Sequence, residues 1–249
     1  MHIPENYTPN SRLLQDRVLL VTGAGDGIGR AAACQCAAHG ATVILMGRTG
    51  SKLEAVYDAI ESAGHPQPAI FEVDMLNAGT EDYAALAGSI ETEFGRLDGL
   101  LHNASILGER APLGHFKLPL WEDVFKVNVT AQLALTQAML PLLEAAPSAS
   151  IVFTSSGVGR QGRAYWGAYA VSKFATEGMM QVLADELENT TSIRVNSLNP
   201  GATRTAMRAA AYPGENPETL KTPEDIMPAY LYLLGPDSEG VSGQAFDAQ

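Results

Sequence analysis

The stretch Arg17-Val-Leu-Leu-Val-Thr-Gly-Ala-Gly-Asp-Gly-Ile-Gly29 decides how the chain is organised. It starts with an almost continuous apolar run, which is typical of a strand buried on both faces of a parallel sheet. The alternating glycines that follow provide positive-φ freedom and allow the backbone to approach a pyrophosphate at the start of a helix. The stretch therefore predicts a strand, a phosphate-binding turn and a helix over residues 27–39.

The same alternation of an apolar run and a helical pattern continues to the end of the chain. Further strands are predicted from the apolar runs at residues 41–46, 69–73, 97–102, 150–154, 193–197 and 244–247. Helices are predicted between them, including residues 51–63, 118–145 and 167–188. Such alternation requires right-handed crossovers and gives a doubly wound sheet. We predict one α/β domain over residues 1–249, with a polar lead-in at 1–14 and seven parallel strands between helices on both faces.

The composition excludes several classes of function. A net charge of −12 argues against nucleic acid or an anionic membrane surface as the main partner. Two cysteines, Cys34 and Cys36, cannot form a disulfide framework, and the five histidines have no metal-binding spacing. The N-terminus resembles no signal peptide and no apolar run reaches the length of a membrane span. We expect a cytoplasmic protein with no metal.

The glycine turn has a particular spacing. It reads T-G-x-x-x-G-x-G and departs from the ordinary G-x-G-x-x-G, because Ile28 stands where the third glycine would be. A glycine-rich turn that binds nothing is the alternative interpretation. We expect the cofactor phosphates to be held by Thr22, Gly23, Gly25, Asp26, Gly27, Ile28 and Gly29.

The end of the second strand indicates which nucleotide binds. The residues there are Met46-Gly-Arg-Thr49, with one arginine and no acid. An acid would bind the adenosine ribose 2′-hydroxyl, whereas an arginine suits a 2′-phosphate. Arg48 therefore favours NADP(H), with NAD(H) left open because a surface arginine after a strand is common. Asp26 would oppose the same phosphate.

A second group of residues suits proton transfer. Tyr169 and Lys173 are four residues apart, so they share one helix face, and Ser156 lies thirteen residues before the tyrosine, after a strand. A phenol normally has too high a pKa for neutral pH, but an ammonium group and an oxidised nicotinamide nearby favour its ionised form. Tyr169 would then protonate a carbonyl oxygen that Ser156 also contacts. A lone Y-x-x-x-K would more often be an exposed helical pair.

With both motifs, the chain from about residue 17 to the end resembles the short-chain dehydrogenase/reductase family, which has the Rossmann fold. The segments 152–156, 159–163, 166–169 and 173–178 and the ending Phe246-Asp-Ala-Gln249 resemble its YciK-type branch. The resemblance implies that Ser156, Tyr169 and Lys173 are catalytic and that Asn128 completes a tetrad by holding a water. It implies further cofactor contacts at Asp74, Asn103, Ala104, Tyr169, Lys173, Pro200, Gly201, Thr203 and Thr205.

One segment departs from the family pattern. The usual N-N-A-G after the fourth strand is His102-Asn-Ala-Ser105 here. Asn103 and Ala104 are kept, whereas Ser105 replaces a glycine that permits close backbone approach. We interpret His102 as a packing residue rather than a catalytic one.

Two segments are expected to enclose the substrate, residues 157–168 and 203–220, the second as a mobile lid. They carry the arginines and aromatic residues Arg160, Arg163, Tyr165, Trp166, Arg204, Arg208 and Tyr212. One interpretation is a substrate with an anionic group and an apolar body. The other is that the arginines pair with cofactor phosphates or with acids such as Glu215, and that the aromatic residues are core.

The sequence therefore predicts an NADP-dependent oxidoreductase that transfers a hydride between nicotinamide and a small-molecule carbonyl or alcohol. The alternatives are an NAD-dependent alcohol dehydrogenase and a nicotinamide-nucleotide-binding module without turnover. The family resemblance also implies a homodimer or homotetramer that uses the outer face of the helix at 167–188.

Overall fold

In a computed structural model that describes all 249 residues, seven strands alternate with eight helices. The strands are β1 Val18–Thr22, β2 Thr42–Gly47, β3 Ala69–Glu72, β4 Gly99–His102, β5 Ala149–Thr154, β6 Ile193–Asn199 and β7 Ala245–Asp247. The helices are α1 Gly27–Ala38, α2 Gly50–Ser62, α3 Thr80–Phe94, α4 Leu118–Phe125, α5 Ala131–Glu144, α6 Gly167–Leu187, α7 Ala206–Ala211 and α8 Met227–Leu234. The predicted order of strands and helices is confirmed.

The strands form one parallel sheet in the order β3-β2-β1-β4-β5-β6-β7. All six neighbouring pairs are parallel, and β1 pairs with β2 on one side and with β4 on the other. The strand order therefore reverses between β1 and β4. Ligands of open α/β sheets bind beyond the carboxyl ends of the strands at such a switch point.

A core lies on each face of the sheet. On one face, residues from α1, α2 and α8 pack against inward-facing side chains such as Leu19, Val21 and Leu45. On the other face, residues from α3, α5 and α6 pack against Leu20, Ile44 and others. The central strands β1, β4 and β5 are buried at every position because both of their faces are covered, which explains the nearly continuous apolar runs in the sequence.

The helix predicted over residues 118–145 is confirmed, and it contains a π-helical turn that was not predicted. The turn covers Lys126–Thr130 and joins α4 to α5 without a break in the helix. Such turns insert one residue into a helix and occur frequently at functional sites. Asn128 lies in this turn.

The N-terminal segment contacts the core. Leu13 and Leu14 are buried, and His2 pairs with Asp247 beside β7. No helix of the protein combines the length and the apolar character needed to cross a membrane.

Candidate active site

Two adjoining pockets, each of about 300 Å³, open at the carboxyl ends of the strands. They share Gly23, Asp26, Ala104 and Ser105. Three of the predicted site residues, Thr22, Gly29 and Asn128, lie behind the pocket walls. The other predicted residues line one pocket or both: Gly23, Gly25, Asp26, Gly27, Ile28, Arg48, Asp74, Asn103, Ala104, Ser156, Tyr169, Lys173, Pro200, Gly201, Thr203 and Thr205.

Thr22 joins the two strands at the switch point. Its hydroxyl donates to the Leu101 carbonyl at 3.1 Å and accepts from the backbone N–H groups of Asn103 at 2.9 Å and Ala104 at 3.0 Å. Asn103 in turn donates through Nδ2 to the Thr22 carbonyl at 3.2 Å. Thr22 therefore fixes the loop after β4 against the glycine turn without facing the pocket itself.

The glycine turn packs closely against its neighbours because side chains are missing from it. A Cβ at Gly29 would lie 2.1 Å from the Gly23 carbonyl oxygen, and one at Gly25 would lie 2.9 Å from Cβ of Lys52. Gly23 also has a φ of +67°, which L side chains rarely adopt. The turn thus brings the backbone N–H groups at the start of α1 close to the pocket, where they suit a pyrophosphate.

The second pocket brings two cations together. Arg48, after β2, and Lys52, in the first turns of α2, both line it. Lys52 Nζ lies 2.5 Å from Asp26 Oδ2, and the hydrogen bond from Lys52 lowers the pKa of Asp26. The negative charge expected to oppose a 2′-phosphate is therefore neutralised within the protein. Sequence analysis missed Lys52, although its spacing of four residues from Arg48 was visible.

Tyr169 and Lys173 project from α6 towards the end of β5. Tyr169 is buried, and Lys173 Nζ lies 5.6 Å from the centroid of its ring. Lys173 donates to the Thr154 carbonyl at 2.7 Å. Ser156 begins a short helical turn after β5, and its Oγ accepts from the N–H of Val158 at 3.4 Å. The three predicted catalytic residues therefore line one pocket.

Burial governs the protonation of this group. Burial raises the pKa of Tyr169 to about 12, and the neighbouring Ser156 hydroxyl acts in the opposite direction. Burial also lowers the pKa of Lys173 to about 8, whereas the Glu177 carboxylate raises it. In the protein without a cofactor, burial is the largest influence on this phenol, and the lowering of its pKa by Lys173 together with an oxidised nicotinamide stays a prediction. The phenol is protonated at neutral pH, as a proton donor must be.

Asn128 connects the loop after β4 to α6. Its Oδ1 accepts from the Ile106 N–H at 2.9 Å, and its Nδ2 donates to the Ile106 carbonyl and to Ser172 Oγ, each at 3.0 Å. Ser172 precedes Lys173 and donates to the Tyr169 carbonyl at 2.8 Å. The π-helical turn therefore places an asparagine against the Ser172 side chain, next to Lys173 on α6.

Sequence analysis also missed a buried acid on α6. Glu177 lies one turn after Lys173 and accepts hydrogen bonds from Ser155 Oγ at 2.5 Å, Ser197 Oγ at 2.6 Å and Arg160 Nε at 3.0 Å. Arg160 continues the network to Asp247 at 2.9 Å. The spacing 169, 173, 177 on one helix face is the signal that could have revealed it.

His102 is a packing residue, as predicted. It is fully buried, stacks on Phe153 with ring centroids 4.7 Å apart, and bonds through Nε2 to Thr136 Oγ1 at 2.8 Å. Burial lowers the pKa of His102 to about 3, so its ring is neutral.

On the substrate side, the arginines are engaged mainly with the protein's own acids. Arg208 forms two hydrogen bonds of 2.6 Å with Glu215, and Arg204 lies 3.3 Å from Glu218. Arg160 belongs to the Glu177 network. The second of the two interpretations drawn from the sequence, in which acids such as Glu215 pair with these arginines, therefore describes the structure.

Comparison with known proteins gives consistent matches. Residues 17–216 match the short chain dehydrogenase family. The chain is 55% identical over 244 residues to the Escherichia coli K12 protein named uncharacterized oxidoreductase YciK, covering 98% of this chain and 96% of that protein. A short chain dehydrogenase structure from Pseudomonas syringae has a TM-score of 0.97 at 60% identity, covering 98% and 99% of the two chains. One from Shigella flexneri 2a, complexed with NADP, has a TM-score of 0.94 at 55% identity, covering 96% and 100%.

The resemblance inferred from the motifs is confirmed by these matches, including the similarity to YciK. The seven-stranded doubly wound sheet is shared with the solved structures. The chain belongs to the short-chain dehydrogenase/reductase family and is an NAD(P)-dependent oxidoreductase that acts on CH–OH or C=O groups.

Proposed function

We propose that the protein is an NADP-dependent oxidoreductase that transfers a hydride between the nicotinamide and a carbonyl or alcohol, with Tyr169 as the acid/base. The observation that carries the proposal is the grouping of Ser156, Tyr169 and Lys173 in one pocket with the glycine turn. The buried phenol is protonated at neutral pH, which suits proton donation to a carbonyl.

The choice of NADP rests on charge in the second pocket. Arg48 and Lys52 both line this pocket, and because Lys52 is paired with Asp26, Arg48 is the cation there without an acidic partner. No acid follows β2 to bind a ribose 2′-hydroxyl. The Shigella flexneri relative described above, complexed with NADP, agrees with this assignment. We assign the adenine side to Asp74, which lines the same pocket.

The residues of the chain fit a dinucleotide. The glycine turn and the start of α1 would hold the pyrophosphate, with Pro200, Gly201, Thr203 and Thr205 on its other side. The bound cofactor supplies or accepts the hydride. Tyr169 gives its phenolic proton to the carbonyl oxygen, and Ser156 donates a hydrogen bond to the same oxygen as negative charge develops there.

Lys173 and Asn128 support this step. The Lys173 ammonium stabilises the phenolate that remains after proton transfer. Asn128 holds Ile106 and Ser172 at fixed distances and thereby keeps α6 aligned with the loop after β4. We propose that it also holds a water through which Lys173 regains a proton.

We propose further that residues 203–220 form a substrate lid. The segment is joined at its base, where Thr203 pairs with Lys221 and the Arg204 N–H donates to the Lys221 carbonyl at 2.8 Å. Between these points it carries α7 and a short helical turn at Pro217–Thr219. Closure of such a segment would exclude water from the reaction.

We also propose a homodimer or homotetramer formed through α5 and α6. Phe174 and Val182 on α6 are 45% and 58% exposed, and Leu133 on α5 is 46% exposed. An apolar helix face of this kind suits a second copy of the chain. Val182→Glu is expected to lower the mass measured by light scattering, whereas Glu54→Gln, at an exposed position of α2 on the other side of the sheet, is not.

The test of the cofactor assignment is a fluorescence titration with NADPH and with NADH. We expect tighter binding of NADPH, and an Arg48→Ala variant that weakens NADPH binding by about tenfold while leaving NADH binding unchanged. A preference for NADH in the wild-type protein would overturn the assignment.

A further inference from the structure

The wall that faces a substrate in the first pocket is mostly apolar. Apart from the residues assigned above to the cofactor and to catalysis, this pocket is lined by Ser105, Leu107, Thr154, Ser155, Trp166, Ala206, Met207, Arg208 and Ala211. Trp166, Tyr169 and Ala211 belong to one apolar cluster, against which Leu107 and Met207 pack. Arg208 is the one charged side chain in this set.

The charge of Arg208 is already neutralised. Its Nε donates a hydrogen bond to Glu215 Oε2 and its Nη2 donates one to Glu215 Oε1, both at 2.6 Å. Its guanidinium also stacks on the Tyr212 ring, with Cζ 4.0 Å from the centroid. A bidentate, charge-assisted pair of this geometry is among the strongest side-chain interactions. An anionic substrate would have to break it and would then meet the freed Glu215 carboxylate.

The other arginines near the site do not offer an anionic substrate a positive charge in place of Arg208. Arg160 is held by Glu177 and Asp247, and it does not line the pocket. Arg110 lies 4.9 Å from the Trp166 ring centroid and 5.0 Å from that of Tyr212, and it donates to the Ala211 carbonyl. It therefore fixes the aromatic wall from outside the pocket. Arg163 lies on an exposed loop.

The first pocket is also small for a site that must hold part of a cofactor together with a substrate. Its volume of about 300 Å³ includes the space beside Gly23, Gly27 and Pro200 that we assign to the cofactor. The remaining space is bounded by Trp166, whose orientation is fixed by Tyr169 and Tyr212 at centroid distances of 5.8 and 5.9 Å. A compact, hydrocarbon-rich molecule matches a site of this shape and polarity.

We infer that the substrate is an uncharged carbonyl or alcohol compound with a compact apolar body, and that Glu215 acts as a specificity residue by neutralising Arg208. The inference rests on the proposed function and adds the substrate class to it. Selectivity of this kind comes from the cost imposed on the wrong ligand, here an anion that meets an arginine already paired with a carboxylate.

The test compares matched pairs of aldehydes, for example benzaldehyde and 4-carboxybenzaldehyde, with NADPH. We expect the wild-type protein to have a kcat/KM at least about tenfold higher for the uncharged member. Glu215→Gln releases Arg208 from its countercharge, so it should raise kcat/KM for the carboxylated member by about tenfold and leave the other within about twofold. Adding Arg208→Leu to Glu215→Gln should abolish that gain.

Glu218→Gln is the matched control, because Glu218 pairs with Arg204 and does not line the pocket. This variant should leave kcat/KM for both aldehydes unchanged. The inference would be overturned if the wild-type protein had a higher kcat/KM for the carboxylated aldehyde, or if Glu215→Gln changed kcat/KM for both aldehydes equally.

Binding separates this inference from the proposed function. Calorimetric titration of the protein in the presence of NADP with the unreactive amide and carboxylate, benzamide and benzoate, reports selectivity without turnover. The inference is supported if the wild-type protein binds benzamide more tightly than benzoate and if Glu215→Gln binds benzoate more tightly than the wild-type protein does. This holds even if neither aldehyde is reduced, because the absence of reduction would contradict the proposed function alone. Tighter binding of benzoate to the wild-type protein would overturn the inference.

Discussion

Lys173 Nζ donates a hydrogen bond of 2.7 Å to the backbone carbonyl of Thr154, the last residue of β5. The bond anchors α6 to the strand that leads into Ser156, so the amine, the phenol and the hydroxyl are held by one local arrangement. Glu177, one turn further along α6, ties the same strand end through Ser155. The geometry of the proposed catalytic group therefore depends on a buried polar contact between one helix and one strand end.

Glu177→Gln tests that dependence. Because the Glu177 carboxylate raises the pKa of Lys173, its loss should move that pKa below about 8. The ammonium would then be lost at lower pH, so the alkaline fall of kcat/KM for carbonyl reduction should move to lower pH than in the wild-type protein. The free energy of unfolding in urea should also drop by roughly 1–3 kcal/mol, since hydrogen bonds to a buried charge are lost.

The exposed Glu186, on the same helix, provides the control. Glu186→Gln should reproduce both the wild-type pH profile and its stability. If Glu177→Gln lowers the free energy of unfolding but leaves the pH profile unchanged, Glu177 has a structural role only and does not raise the pKa of Lys173.

Lys52 and Asp26 are expected to be coupled in NADPH binding. Lys52→Ala removes a cation from the second pocket and leaves Asp26 without its partner, so we expect the Kd for NADPH to rise by about tenfold, with little change for NADH. The double variant Lys52→Ala, Asp26→Asn should recover part of the loss, because the opposing carboxylate is then gone.

Fluorescence titration of the two nucleotides measures this coupling. Arg12→Ala, which removes an exposed cation on the N-terminal segment, is the control. Equal weakening of NADPH and NADH binding by Lys52→Ala would show that the lysine does not contact the 2′-phosphate.

His102 should make the protein more sensitive to acid. Its pKa falls from 6.5 in a model peptide to about 3 on burial. The unfolded chain therefore binds a proton over this range and the folded chain does not, so stability decreases as the pH falls from 6.5 towards 3. At about pH 5 the cost is roughly 2 kcal/mol, which His102→Asn should remove.

Urea unfolding at several pH values between neutrality and about pH 4 measures the slope. His115→Asn, on an exposed turn, should keep the wild-type slope. An unchanged slope in His102→Asn would contradict the assignment of a neutral, buried imidazole.

Much of the fold could be predicted because both faces of the sheet are covered. Strands such as β1 and β5 are buried at every position and mostly apolar, and glycine follows β1 at the turn that opens α1. Tyr169 and Lys173 were recognisable from a fixed spacing on one helix face. The π-helical turn at Asn128 has no local signal, because it arises from the contacts of that asparagine with Ile106 and Ser172 across the fold.

The electrostatics of the site were harder to predict for the same reason. Pairing of Lys52 with Asp26 and of Arg208 with Glu215 depends on loops that meet only in the folded protein. From the sequence, the arginines of segments 157–168 and 203–220 could equally well face a substrate or pair with an internal acid. The raised pKa of Tyr169 likewise reflects burial, which sequence spacing does not report.

The most direct test of the account is a single-turnover measurement with Tyr169→Phe. NADPH is mixed with the protein and an uncharged aldehyde, and oxidation of the nucleotide is followed by absorbance, with NADPH binding measured in parallel by fluorescence. We predict that Tyr169→Phe slows hydride transfer by about 10²–10⁴-fold and binds NADPH as the wild-type protein does. Tyr165→Phe, at an exposed position in the neighbouring loop, should react at the wild-type rate. Hydride transfer at an undiminished rate in Tyr169→Phe would contradict the role of this phenol as the acid.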